Sequence, residues 1–176
     1  MDNPKVSVII PSYNRFESLL NSIKSVEEQD YENYEIIVIN DGSTDPNYKS
    51  YKFNDKIKLI HLKENQKSIN GFGPGAIRNF GVNQSNGKYI AIQDSDDVSL
   101  KERLHIQVNY LEGNSKFGLI GSLATSIDQD GKKLNRKQSL GLNSRETKVM
   151  IFFRNCFTHS TIMYRKILLE KIYFNQ

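Results

Sequence analysis

Three carboxylates fall within four residues, Asp94, Asp96 and Asp97, directly after the apolar run 89–92. Acids this close repel one another unless a cation joins them. An all-oxygen donor set suits Mg²⁺ or Mn²⁺, which keep several waters and share the phosphate oxygens of a substrate. The competing reading is an acidic turn whose Ser95 and aspartates cap the following helix. Two other polar stretches also end apolar runs: residues 11–15 (PSYNR) and 41–45 (DGSTD). Tyr13 offers a ring on which a base can stack. Asp41 can accept hydrogen bonds from a base N–H or a ribose hydroxyl, and Arg78 can reach a base carbonyl or a phosphate. Each has a plainer alternative: Tyr13 at a core edge, Asp41 forming a turn with Gly42, Arg78 as a surface cation.

These groups act together only if the chain brings them to one place. Residues 6–10 (VSVII), 34–40 (YEIIVIN), 57–62 and 89–92 read as buried strands, rich in β-branched residues. Between the first two, Phe16, Leu19, Leu20, Ile23 and Val26 recur at helical spacing and predict one amphipathic helix. A helix is expected from about Ala76. Another, opened by a capping box at Ser99 and Glu102, should bury Leu100, Leu104, Val108 and Leu111 on one face. Strand–helix alternation predicts an α/β domain whose parallel strands are joined by right-handed crossovers. In such sheets ligands bind outside the carboxyl ends of the strands, so the three polar stretches should share one crevice.

The second half changes character. Residues 117–121 and 122–127 look like strand, Asp130-Gly131 marks a turn, and a basic return runs through Lys137. Residues 144–154 predict a helix presenting Val149, Ile151 and Phe152, and residues 160–164 a last strand, giving the sheet a mixed edge. Asp128 and Asp130 read as turn formers.

The totals narrow the class. The 176 residues amount to one domain, 38% hydrophobic and 25% charged, as in ordinary globular proteins. No run is long and apolar enough to span a membrane, and the first residues lack the apolar segment of a signal peptide. A lone cysteine, Cys156, cannot form an internal disulfide, which predicts a cytoplasmic setting. Residues 132–176 carry ten Lys and Arg against Glu146 and Glu170, whereas residues 1–131 carry fourteen against eighteen acids. An acidic front suits a cation site, and a basic tail suits an anionic surface or simply a solvated face. No basic groove interleaved with aromatics appears, so nucleic acid is not expected as a partner.

Residues 71–76 (GFGPGA) satisfy the dinucleotide pattern G-x-G-x-x-A. That fingerprint opens directly from a first strand, whereas Gly71 follows the third strand after a long gap and Pro74 interrupts the turn, so a nicotinamide site is not expected.

In order and spacing, residues 6–15 (VSVIIPSYNR), 35–45 (EIIVINDGSTD), 75–81 (GAIRNFG) and 87–98 (GKYIAIQDSDDV) resemble the family 2 glycosyltransferases of GT-A fold. Residues 159–166 (HSTIMYRK) resemble a further block of the bacterial members. The resemblance implies a nucleotide-binding α/β sandwich that transfers a sugar from a nucleotide diphosphate, usually UDP, with inversion. It places Pro11, Tyr13, Asp41 and Arg78 at nucleoside-contacting positions, with Ser12, Asn14 and Gly42 beside them. Asp94, Ser95 and Asp96 match the D-x-D motif: Asp94 faces ribose or sugar, and Asp96 binds Mn²⁺ or Mg²⁺, with Asp97 as a second candidate ligand. His159 could approach the diphosphate or the acceptor, or open a strand as a hydrogen-bonded histidine. By this likeness residues 1–98 form the donor half and 99–176 the start of an acceptor half within one domain. The implied acceptor is a saccharide or a lipid-linked sugar, with peripheral association at the inner membrane face.

The family's catalytic base, an Asp or Glu, belongs to an acidic segment past the 159–166 block. That segment would lie beyond Gln176, so no residue is assigned as base, and the expectation is a domain cut short at its carboxyl end that keeps donor binding. Two other classes stay open: a nucleotide-sugar-binding domain without transfer, and a sugar-phosphate nucleotidyltransferase, whose glycine-rich basic signature after the first strand is absent.

Overall fold

The computed structural model describes residues 3–66, 74–128, 131–137, 142–150 and 155–169. The element order is β1 (Val6–Ser12), α1 (Phe16–Glu27), β2 (Tyr34–Asn40), α2 (Asn47–Ser50), β3 (Ile57–His61), α3 (Pro74–Asn83), β4 (Tyr89–Ile92), α4 (Arg103–Gly113), β5 (Leu119–Ile120), β6 (Thr125–Ile127), β7 (Lys133–Lys137), α5 (Ser144–Met150), a 3₁₀ turn (His159–Thr161) and β8 (Met163–Arg165). The described strands form a six-stranded sheet in the order β3-β2-β1-β4-β8-β5, beside a separate β6–β7 hairpin. β1 pairs in parallel with both β2 and β4, Val6 standing opposite Tyr34 on one side and Tyr89 on the other. β3 continues the parallel half, while β8 runs antiparallel to β4 and β5. The α/β class and the mixed edge expected from the sequence are therefore both present.

Alternation of side chains along each strand explains why the central runs of β1, β2 and β4 are apolar on both faces. Val6, Val8, Ile10, Ile36, Val38, Tyr89 and Ala91 face one way, against Phe16, Leu19, Ile23 and Val26 of α1 and Leu104, Val108 and Leu111 of α4. Ile9, Ile37, Ile39, Ile90 and Ile92 face the other way, against Ile77 and Val82 of α3. Helices cover both faces, so both residue parities are mainly apolar, and the exceptions Ser7 and Glu35 bond each other. Each fully buried isoleucine contributes about 1.5–3 kcal/mol relative to exposure.

Several sequence expectations need correction. Ser99 does not cap α4. The helix begins at Arg103, its N-cap is Glu102, and no side chain bonds the cap. The Ser99 hydroxyl instead donates to Gln93 Oε1 at 2.6 Å and accepts from Arg103 Nη1 at 3.0 Å, so it is already engaged at the strand end. Leu100, left in the loop before the helix, is 82% exposed rather than part of the buried stripe. The run 160–164 splits into a 3₁₀ turn and a strand that starts at Met163. α5 buries none of its side chains, and Val149 is exposed. Ile151, Phe152, Asp130, Glu170, the glycines Gly71 and Gly73 and residues 173–176 lie outside the described residues. Asp128 is a turn former: its Oδ1 accepts Lys132 N–H at 2.8 Å, and Gly131 follows with φ 78°. Among the described residues no helix is long and apolar enough to cross a membrane.

Candidate donor site at the strand ends

Strand order reverses at β1, whose neighbours in the sheet, β2 and β4, lie on opposite sides. The crevice outside the carboxyl ends of β1 and β4 is the position where open α/β sheets bind ligands. The loops after β1, β2 and β4 all open there.

The first two loops are laced together. Asp41 N–H donates to Ser12 O at 2.9 Å, and Asn14 N–H to Ser43 Oγ at 2.9 Å. Asn14 Oδ1 accepts from Thr44 N–H at 2.9 Å and from Thr44 Oγ1 at 3.3 Å. Asn14 makes these bonds from a left-handed backbone, φ 50°, a conformation that asparagine tolerates better than most residues. Beneath the loop, Ser12 is buried with its hydroxyl on Tyr48 OH, which also accepts Arg15 N–H at 3.2 Å. Pro11 still pairs in β1, opposite Ile39. Tyr13 is 44% exposed, leaving ring surface for stacking.

Asp41 is nearly buried. Its Oδ2 accepts from Asn65 Nδ2 at 2.9 Å and its Oδ1 from Gln66 N–H at 3.0 Å. Burial pushes its carboxyl above the usual aspartate value, and the Gln66 N–H pulls part of that shift back. Gly42 adopts φ 70°, and a Cβ there would stand 2.5 Å from the backbone carbon of Glu64. Only glycine lets residues 64–66 close over Asp41.

The third loop holds the acids, and they diverge. Asp94 Oδ1 accepts Arg78 Nη2 at 2.7 Å. Asp96 Oδ2 is ion-paired with Arg15 Nη1, both side chains being about half exposed. Asp97 Oδ2 accepts the Ser160 hydroxyl, whose oxygen in turn accepts Asp94 N–H at 3.2 Å. Burial raises the Asp97 carboxyl, the Ser160 bond opposes this, and the charges of Asp96 and Asp94 raise it further. Ser95 is buried within the turn closed by Asp97 N–H on Asp94 O at 3.1 Å. Among the described residues no group of three or more His, Cys, Asp or Glu is arranged to hold a metal ion. A divalent ion here would take one or two carboxylate oxygens from the chain and the rest from phosphate and water, which is how Mg²⁺ and Mn²⁺ are usually held.

Arg78 is delivered by α3. That helix lies close on the sheet because Gly81 has no side chain: a Cβ would meet Ile9 Cγ2 at 2.6 Å. The Arg78 Nε is buried and has no hydrogen-bond partner among the described residues. An orphaned donor at the crevice edge fits an anionic ligand.

Below the acids lies a buried cation that sequence reading passed over. Arg103 donates to Gln93 Oε1 at 2.7 Å, Ile92 O at 2.9 Å, Ile162 O at 3.2 Å and Gln107 Oε1 at 3.2 Å. It ties the end of β4 to the chain entering β8. Burial pulls its pKa down to about 10, and the charges of Asp97 and Asp94 oppose that. Ser160 and Arg15 were also missed as site residues. Arg15 closes the first block, but nothing local marks its partner, and Ser160 carries no signal beyond its neighbour His159. His159 is exposed in the 3₁₀ turn, its Nε2 3.0 Å from Asn155 Nδ2. The structure thus gathers Tyr13, Asn14, Asp41, Arg78, Asp94, Asp96 and Asp97 at one sheet edge, and gives Ser12, Gly42 and Ser95 roles in shaping the loops.

Next to Asp96 and Asp97 opens a cavity of about 570 Å³, walled by Val98, Leu100 and Ile106 on one side and Leu123, Thr125 and Ile127 on the other. A second cavity of about 460 Å³, between α1 and residues 51–57, shares none of the strand-end residues.

Comparison with known proteins agrees with this geometry. The sequence profile named Glycosyl transferase family 2 matches residues 7–173. An uncharacterized glycosyltransferase of Methanocaldococcus jannaschii, MJ1057, is 33% identical over 181 residues, covering 100% of this chain and 61% of that protein. The putative glycosyltransferase EpsE of Bacillus subtilis is 34% identical, covering 92% of this chain and 56% of its own length. Among solved structures, S. aureus TarS 1-349 in complex with UDP superposes with a TM-score of 0.69 at 25% identity, over 96% of this chain and 49% of that one. The mannosyltransferase PcManGT of Pyrobaculum calidifontis, solved with GDP-Man and Mn²⁺, gives 0.66 at 18% identity, over 98% of this chain and 47% of that one, a likeness of fold alone. The chain therefore spans about half the length of these solved neighbours. Its fold is the GT-A sandwich, matched along nearly its whole length, and with strand-end loops, acids and family profile in agreement the chain belongs to glycosyltransferase family 2.

Proposed function

We propose that this chain is the nucleotide-sugar-binding part of an inverting glycosyltransferase that uses a UDP-linked donor and a divalent cation. The observation that carries the reading is the convergence, at one switch point, of an exposed aromatic ring, a buried carboxylate and two arginine–carboxylate pairs. Tyr13 stacks on the base, Asp41 accepts from the base or ribose, and Arg78 turns its orphaned Nε toward the donor. TarS, at 25% identity, has also been solved with UDP-GlcNAc, which supports a UDP-linked donor.

Asp96, with Asp94 or Asp97 beside it, would hold Mn²⁺ or Mg²⁺. When bound, such an ion supplies Lewis-acid neutralisation of the charge that develops on the departing diphosphate. The chain's own contribution is to fix the sugar near Asp94 and to keep the three acids apart, each on its own partner. Inversion requires a base opposite the leaving group to take the acceptor hydroxyl's proton. Among the described residues no Asp or Glu is assigned that role. The acceptor, a saccharide or a lipid-linked sugar, would approach through the apolar cavity beside Asp96 and Asp97. On this reading residues 1–98 form the donor half and 99–176 begin the acceptor half, whose basic surface favours an anionic membrane face.

Calorimetric titration of UDP with and without Mn²⁺ tests the reading. UDP should bind measurably only with the metal, and that metal-dependent binding should fail in Asp96→Ala. Binding that ignores Mn²⁺ in the native chain would refute it.

A further inference from the structure

The pair between Arg15 and Asp96 joins loops 81 residues apart across the crevice mouth. Its side chains are about half exposed, at 56% and 48%, so water screens the pair and little free energy opposes its exchange. The Arg15 backbone, by contrast, is held at both ends: its N–H donates to Tyr48 OH at 3.2 Å, and its carbonyl accepts Leu19 N–H at 2.9 Å. The side chain alone can therefore change partners without disturbing the loop or α1. A guanidinium and a divalent cation on the same carboxylate repel each other, so a metal ion on Asp96 loosens the hold of Arg15 there. Alongside, Arg78 holds Asp94 by one nitrogen, and among the described residues its Nε has no acceptor.

We propose that Arg15 stands in for the cation at Asp96 in the donor-free chain and moves onto the diphosphate when donor and metal arrive together, so that metal and nucleotide bind as a coupled pair. A metal ion arriving alone must expel Arg15 into solvent and leave it without a carboxylate. A metal ion arriving with a diphosphate offers Arg15 phosphate oxygens, which its planar fork binds well. The cost of displacement thus falls on metal alone and not on the metal–diphosphate complex. By linkage the same factor must appear in nucleotide affinity. Arg15 is in this sense a positioning residue: it keeps Asp96 occupied until the correct ligand can replace it. The inference rests on the donor reading above, and its test is chosen to separate the two.

The experiment measures Mn²⁺ binding by the loss of the free-ion electron paramagnetic resonance signal, with and without saturating UDP, on the native chain, Arg15→Gln and Arg15→Lys. Melting curves confirm that each variant folds. In the native chain UDP should tighten Mn²⁺ binding by about tenfold or more, in the usual range of coupling between sites. In Arg15→Gln, Mn²⁺ alone should bind about threefold to tenfold tighter than to the native chain, and UDP in the presence of Mn²⁺ about threefold to tenfold weaker, on the same range of coupling. Arg15→Lys, which keeps the charge, should retain coupling between those limits. Equal affinity of the native chain and Arg15→Gln for Mn²⁺ alone would overturn the exchange while leaving the donor site standing, as would an Arg15→Lys coupling no greater than that of Arg15→Gln. A native chain that binds neither UDP nor Mn²⁺ would overturn the donor reading, and the exchange with it.

Discussion

Arg78 Nη2 stands 2.7 Å from Asp94 Oδ1 and joins α3 to the loop after β4 across the crevice at the strand ends. Both side chains are largely shielded, at 17% and 31% exposure, so the pair is stronger than one on the open surface. Arg78→Lys keeps the charge but loses the fork and the buried Nε. UDP affinity in the presence of Mn²⁺ should fall about tenfold by calorimetry, the loss of roughly one charge-assisted hydrogen bond. An unchanged affinity would remove Arg78 from the donor site.

Gly81 sets how closely α3 approaches the sheet, since a Cβ would lie 2.6 Å from Ile9 Cγ2 and 3.3 Å from Ile39 Cγ1. Gly81→Ala should push the helix outward and destabilise the fold by about 1–3 kcal/mol, as overpacking does. Because α3 carries Arg78, UDP binding should weaken at temperatures where the variant is still fully folded. Thermal melts and UDP titrations on one sample separate the two effects. A variant as stable as the native chain would show that the neighbouring isoleucines can yield.

Asn14 combines two contributions that substitution can separate. Its φ of 50° disfavours most residues, and its side chain holds Thr44 N–H. Asn14→Ala loses both and should cost about 1–3 kcal/mol; Asn14→Gly relieves the backbone and should cost about 1 kcal/mol less. Denaturant midpoints of the three proteins decide it. Equal losses would mean that the backbone conformation carries no cost.

Glu35 accepts from Lys5 Nζ at 2.9 Å, Asn86 N–H at 2.7 Å and the Ser7 hydroxyl. Burial pushes its carboxyl up, but the hydrogen bonds from Ser7, Asn86 and Lys5, with the Lys5 charge, outweigh that and hold it below the usual glutamate value. A depressed folded-state pKa stabilises the protein above the unfolded-state pKa, and that stability is lost as pH falls through the folded-state value. Glu35→Gln should therefore destabilise by about 1–3 kcal/mol at pH 7. Its difference from the native chain should shrink as pH drops through and below the ordinary glutamate range. A pH-independent difference, measured by urea unfolding, would contradict the charge-based account.

Much of this architecture was legible because burial imposes local periodicity. The run 34–40 had to be a strand covered on both faces, since both parities of its middle residues are apolar. The stripe from Phe16 to Val26 had to face a core. The same logic failed at Leu100, which continues the helical spacing of Leu104, Val108 and Leu111 yet sits outside the helix. Periodicity cannot tell where a helix starts, and the Ser99 hydroxyl expected to cap it is taken up by the side chains of Gln93 and Arg103 rather than by a backbone N–H of the first turn.

The sequence by itself determined the strands, the helical stripes, the polar loops at the strand ends and the residue types that could meet a nucleotide and a cation. These follow from composition and spacing along a few residues. Tertiary structure alone decided who pairs with whom: Arg15 with Asp96, Arg78 with Asp94, the Ser160 hydroxyl with Asp97, and Arg103 beneath them. Those partners meet because β1 lies between β2 and β4 and β8 returns beside β4. Strand order is a property of the whole sheet, and no local pattern in the chain carries it.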